Sequence, residues 1–236
     1  MTIVNLGAKR LQGLKSDTVS DSLGSSADGT NNGVTLNTTN EKLGTGCYSF
    51  DGTDKATILS ATAGEWNFLH NNSDFSIAFW LKLNATPNET QGILGTGTGG
   101  SSIGYEIAFN PSTGVMYNNI ENGSGATSNI NSSSGFVPVN TTTWYHYVIT
   151  FSNGVWNIYR NGANNETATD VISWSSSNHS RSMELGNANA NTAGDRKDLT
   201  GLVDDMGIWD RVLTSTEIQA LVNNVERTPQ YTSDLS

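Results

Sequence analysis

Residues Phe75 to Leu83 alternate without a break: Phe75, Ile77, Phe79, Leu81 and Leu83 share one side, and Ser76, Ala78, Trp80 and Lys82 share the other. Successive side chains of an extended chain point to opposite faces, so this period of two defines a strand with a buried face. A helix would scatter the same apolar residues around its circumference. The run from Trp144 repeats the pattern, with Tyr145, Tyr147, Ile149 and Phe151 on one face and Trp144, His146, Val148 and Thr150 on the other. Both of its faces are therefore at least partly covered. Ser152-Asn153-Gly154 leads into Val155–Arg160, and Asn161-Gly162 makes a second turn. Asn-Gly tolerates positive φ at both positions and is a strong hairpin signal.

Shorter apolar runs at Cys47–Phe50, Ala56–Leu59, Gly92–Gly95, Tyr105–Phe109, Val115–Asn118, Met183–Gly186 and Gly201–Trp209 are separated by Asn, Ser, Thr and Gly. With 25 glycines and only 14% charged residues, the composition is that of many strands joined by turns. The expectation is one all-β sandwich of two antiparallel sheets, a size that 236 residues support as a single unit. One helix start stands out: Thr214 as N-cap with Glu217 three residues on can satisfy two orphan amides reciprocally, and Ile218, Leu221 and Val222 form the apolar stripe behind it. The chain divides into an arm (residues 1–20) carrying Lys9, Arg10 and Lys15, the sandwich (residues 21–225), and an extended tail (residues 226–236). Gly95–Ser102 and Asn118–Gly135 read as long loops on one rim.

A formal charge of −10, from 12 basic and 22 acidic residues, gives no electrostatic footprint for a nucleic-acid backbone. No apolar run approaches the roughly 18 residues that would span a bilayer. Met1–Gly13 lacks the apolar core of a secretory signal, which leaves a removed signal, non-classical export, or delivery as part of a particle. Cys47 is the single cysteine, expected as a small buried apolar residue, so no disulfide forms within the chain. Nine Asn-x-Ser/Thr patterns mark exposed turns in a chain this rich in those residues.

Seven landmarks fall in one order: Tyr48-Ser49-Phe50-Asp51-Gly52, Phe75 to Lys82, Ile93-Leu94-Gly95, Trp144 to Val148, Ile158 to Gly162, Glu184-Leu185-Gly186, and Gly201 to Leu213. This order resembles the laminin G-like domains of the concanavalin A-like lectin/glucanase superfamily over roughly residues 20 to 224. The closing element, a strand ending in Arg211-Val212-Leu213 and running into a capped helix, is part of the likeness. The resemblance implies a jelly roll of two sheets with one short C-terminal helix. That superfamily contains lectins, adhesion modules, structural modules and glycoside hydrolases, so function has to be argued from the site.

Relatives that hydrolyse glycosides carry two carboxylates on one face of one strand. No Glu-x-Asp-x-Glu run occurs here, and Asp204 and Asp205 are neighbours that point to opposite faces. His146 has no nucleophile motif beside it and reads as packing. The resemblance also suggests structural calcium at a sheet rim, held by Asp51 with Asp204 or Asp205. The other reading is that Asp51 caps its own turn and the other two bond adjacent loops. Trp66 and Trp174 lie outside the strongest strands, either as stacking platforms for sugar rings or as rim packing, while Trp80, Trp144 and Trp209 are assigned to the core. The expected function is non-catalytic recognition or adhesion, with a glycan or other surface polymer as partner, at an extracellular, cell-surface or virion-surface location. The alternative is a structural or decoration subunit whose arm and tail reach neighbouring subunits.

Overall fold

A computed structural model describes residues 10–12, 30–44, 46–58, 66–84, 86–97, 103–123, 127–169, 183–188 and 198–223. Along them run β1 (Arg10–Gln12), β2 (Thr30–Asn32), β3 (Thr35–Asn37), β4 (Cys47–Asp51), β5 (Lys55–Ile58), β6 (Phe75–Leu83), β7 (Gln91–Gly95) and β8 (Ile103–Asn110). Then follow β9 (Val115–Asn122), β10 (Thr127–Asn131), β11 (Tyr145–Ser152), β12 (Val155–Arg160), β13 (Ala163–Thr169), β14 (Met183–Leu185), β15 (Thr200–Trp209) and the helix α1 (Ser215–Val222). One sheet has the order β13-β12-β11-β6-β15-β4-β3, with β1 as an eighth strand against β15; the other has the order β10-β9-β8-β7-β14-β5-β2. Every pairing is antiparallel. The expected two-sheet jelly roll with one C-terminal helix is what forms.

The alternation that announced β6 fills the space between the sheets. Phe75, Ile77, Phe79 and Leu81 face inward with Tyr147, Ile149 and Phe151 of β11, and the second sheet contributes Tyr105, Ile107 and Phe109. Phe75 joins the layers: its ring lies 5.4 Å from Phe151, 5.5 Å from Tyr105 and 5.6 Å from Trp156. Asn118, wholly buried among these groups, is satisfied by the Tyr105 hydroxyl, which donates to its Oδ1 at 3.2 Å.

The outer side of β6 is covered too, and its small residues show why. Helix α1 lays Ile218 and Leu221 on Ala78, Val148, Trp209 and Leu213. Ser76 donates to the Arg211 carbonyl at 2.8 Å and accepts from the Leu213 amide at 2.9 Å, fixing the turn into the helix. The capping box forms as expected: Thr214 Oγ1 accepts from the Glu217 amide, and the Thr214 amide donates to Glu217 Oε2 at 2.8 Å. Arg211 grips the same carboxylate with both guanidinium nitrogens, at 3.0 and 2.7 Å, and holds Glu217 down to about 2. Replacing Thr214 by alanine leaves one amide without its acceptor and is expected to cost about 1 kcal/mol, measured by denaturant unfolding.

Two departures from the sequence expectation matter. Asn118–Gly135 is not a long loop, because β9 runs on to Asn122 and pairs with β10 as a hairpin. Within the expected arm, Arg10–Gln12 is hydrogen-bonded into the sandwich, with Arg10 opposite Ile208 and Gln12 opposite Met206. This triplet therefore does not reach outward to a neighbour. It takes over where β4 stops: β15 pairs with β4 from Thr200 to Val203, bulges between Asp204 and Gly207, then pairs with β1. Asp205 adopts φ of +50° at that bulge.

Candidate functional site

The loop following β3 folds back over the outer face of the β6 sheet, and one side chain shapes its start. Asn37 Oδ1 accepts from the amides of Thr39 and Asn40 at 3.1 and 2.9 Å, a tight turn built by an amide side chain. Beyond it the amides of Lys42 and Leu43 donate to Asp204 Oδ2 at 3.0 and 2.9 Å. Lys42 Nζ rests 4.4 Å above the Trp80 ring, a cation over an aromatic face. The far side of the loop holds a second indole: Trp144 Nε1 donates to the Asn40 carbonyl at 3.1 Å. Lys82 Nζ lies 3.5 Å from Asn40 Oδ1.

Strand register explains why these groups meet. Asp204, Trp80 and His146 are direct neighbours on β15, β6 and β11. Lys82 is two positions beyond Trp80 on the same face, about 7 Å away. Trp144 precedes Tyr145, which pairs with Leu81, so it stands beside Lys82 on the outer face. Trp144 is half-buried, held by its ring nitrogen with part of the ring in solvent. Trp80 is covered, by Lys42 on one side and by the His146 ring at 4.9 Å on another.

Burial dominates the electrostatics beneath the loop. Asp204 is pushed up to about 6 by desolvation, against the opposing amides of Leu43, Lys42 and Asp205. Asp205 is pushed up to about 7 by desolvation and then by the charge of Asp204. His146 is driven down to about 3, again by burial and then by Lys42, so its imidazole is neutral and acts as packing. The Cys47 thiol, 1% exposed, is raised to about 12 by burial and by Asp204 and Glu41.

The predicted site residues fare unequally. Trp66 is fully buried at the start of a single 3₁₀ turn, Asn67–Leu69, and presents no face for a sugar ring. Trp174 lies outside the described residues. Trp144, expected in the core, is instead half-exposed at the rim. Asp51 is exposed and accepts from the amide and hydroxyl of Thr53 at 2.9 and 2.8 Å, capping its own turn. It pairs with Thr200, four residues along β15 from Asp204, a separation of about 13 Å. Asp51 is therefore not brought together with Asp204 and Asp205. Among the described residues no group of three or more His, Cys, Asp or Glu is placed to hold a metal ion.

The register also reveals an acid pair that the sequence concealed. Glu184 of β14 and Glu106 of β8 both lie opposite Gly95 of the intervening β7, so they share the outer face of the second sheet, about 10 Å apart at Cα. Glu184 is paired with Lys55 at 2.9 Å, and Glu106 accepts from Asn119. The slot between them is occupied by backbone: a Cβ on Gly95 would lie 2.2 Å from the Ala188 carbonyl oxygen. The Ala188 backbone therefore sits over Gly95, between the two acids.

Residues 28–219 match the family model of the concanavalin A-like lectin/glucanases superfamily, in its laminin G form. The chain belongs to that family. Among solved structures it is similar to receptor-binding domains of botulinum neurotoxins. The domain of the C/D mosaic serotype aligns with a TM-score of 0.67 at 14% identity, over 92% of this chain and 51% of that one. The serotype D domain solved with N-acetylneuraminic acid gives 0.67 at 12% identity, over 92% and 51%. A type C toxin structure described as entering cells through two ganglioside molecules gives 0.68 at 17% identity, over 94% and 52%. The chain thus spans about half the length of each, and the likeness is one of fold. A comparison with curated protein sequences finds no match. No helix among the described residues is long and apolar enough to cross a membrane.

Proposed function

We propose that this chain is a non-catalytic, extracellular glycan-recognition module whose contact surface is the rim where the loop after β3 meets Trp144. The observation that carries the reading is Trp144: a half-exposed indole immobilised through its ring nitrogen and flanked by Asn40 and Lys82. A rigid aromatic face receives the apolar C–H side of a sugar at small entropic cost, and adjacent amide and ammonium groups serve its hydroxyls. The filled slot between Glu106 and Glu184 supports recognition over hydrolysis. Membership in a superfamily of lectins and the likeness to toxin domains solved with sialic acid or linked to gangliosides support a carbohydrate partner.

The test is a broad glycan panel probed with the wild-type chain and with Trp144→Ala. Binding to a defined subset, weakened at least roughly tenfold by the substitution while the melting midpoint is preserved, is the expected result. Absence of binding across the panel, or full retention by Trp144→Ala, overturns the reading.

A further inference from the structure

Two lysines on this face, Lys82 beside Trp144 and Lys42 over the adjoining Trp80, carry an additional implication, which rests on the glycan reading above. This chain has nearly two acids for every base, 22 against 12, so an accessible lysine easily finds a carboxylate. Lys55 does so with Glu184 and Arg211 with Glu217. Lys42 and Lys82 do not: among the described residues Lys42 meets the Trp80 ring and Lys82 the Asn40 side chain, and neither forms an ion pair. Asp204 is buried and turned onto the loop amides, and Glu41 has its Oε2 buried.

The loop itself fixes both cations. Asn37 sets the turn, the turn delivers Asn40 to Trp144 and Lys82, and the Asp204 bonds place Lys42 over Trp80. We infer that this pair of unneutralised ammonium groups recognises an acidic substituent on the glycan stacked at Trp144, a carboxylate or a sulfate ester. The overall charge of −10 repels anions, so only a place where cations gather in fixed positions takes one. An ammonium meeting an anionic oxygen makes a charge-assisted bond about twice as strong as a neutral one.

The experiment uses an array of matched pairs built on lactose, N-acetyllactosamine and chitobiose, each neutral form beside its sialylated, uronate-bearing and sulfated forms. The wild-type chain should bind one acidic form roughly tenfold more tightly than its neutral parent, and less so as salt is raised. The Lys42→Gln/Lys82→Gln variant should lose the preference and bind the acidic and neutral forms equally, while Lys42→Arg/Lys82→Arg keeps the preference. A melting curve verifies that each variant is folded. Preference for the sialylated or uronate form assigns a carboxylate, and preference for the sulfated form assigns a sulfate ester. Equal binding of neutral and acidic partners by the wild type, or a preference that survives the double glutamine variant, overturns this inference and leaves the glycan reading standing. Binding to no member of the array overturns both.

Discussion

A Phe75→Ala variant should lose about 4 kcal/mol of stability, close to the limit a single domain of ordinary stability tolerates. The ring is wholly buried and touches Phe151 and Trp156 on its own sheet and Tyr105 on the opposite one, so its removal opens a cavity between the two layers. Denaturant unfolding should show a lower midpoint with an unchanged slope. Thr167→Ala, on the exposed edge strand β13, should shift stability by less than about 0.5 kcal/mol. A loss at Phe75 below about 1 kcal/mol would mean that the two sheets do not meet at that ring.

The second large effect is on pH dependence. Asp204 and Asp205 titrate near 6 and 7 in the folded chain, against 3.8 as the ordinary value. The folded state therefore holds protons more tightly than the unfolded one between those values. The resulting stability is fully present below about pH 4 and is lost as pH rises through about 6 to 7, a change of several kcal/mol. Glu41 adds to the repulsion on Asp204, and the amides of Lys42 and Leu43 oppose it. With a chelator present, the melting midpoint should be higher at pH 5 than at pH 8. Asp205→Asn should raise the midpoint at pH 8 and flatten the profile, because asparagine tolerates the left-handed backbone at this position without the buried charge. A profile that rises from pH 5 to pH 8 would contradict this.

Those two regions differ in how plainly the sequence announced them. Wherever one side of a strand packs on the other sheet, alternation is visible, and β6, β11 and β12 were located with their turns at Asn153-Gly154 and Asn161-Gly162. The edge strands were invisible for the same reason. β10 and β13 carry Thr, Asn and Ser with little apolar signal, since an outermost strand has fewer neighbours to pack against. Site residues proved harder still. Trp66 and Trp144 both stand next to polar runs, but a buried 3₁₀ turn takes one and the strand register brings the other beside Asn40 and Lys82. Glu106 and Glu184 are 78 positions apart, and only the pairing through Gly95 sets them on one face.

The pairing of Arg10–Gln12 with Met206–Ile208 ties together segments nearly two hundred positions apart. During synthesis the sheet therefore cannot be completed until β15 has left the ribosome. Such distant closure makes for slow folding. A chain trimmed of its first dozen residues would bare backbone donors and acceptors at Met206–Ile208, a template on which an identical molecule could add itself.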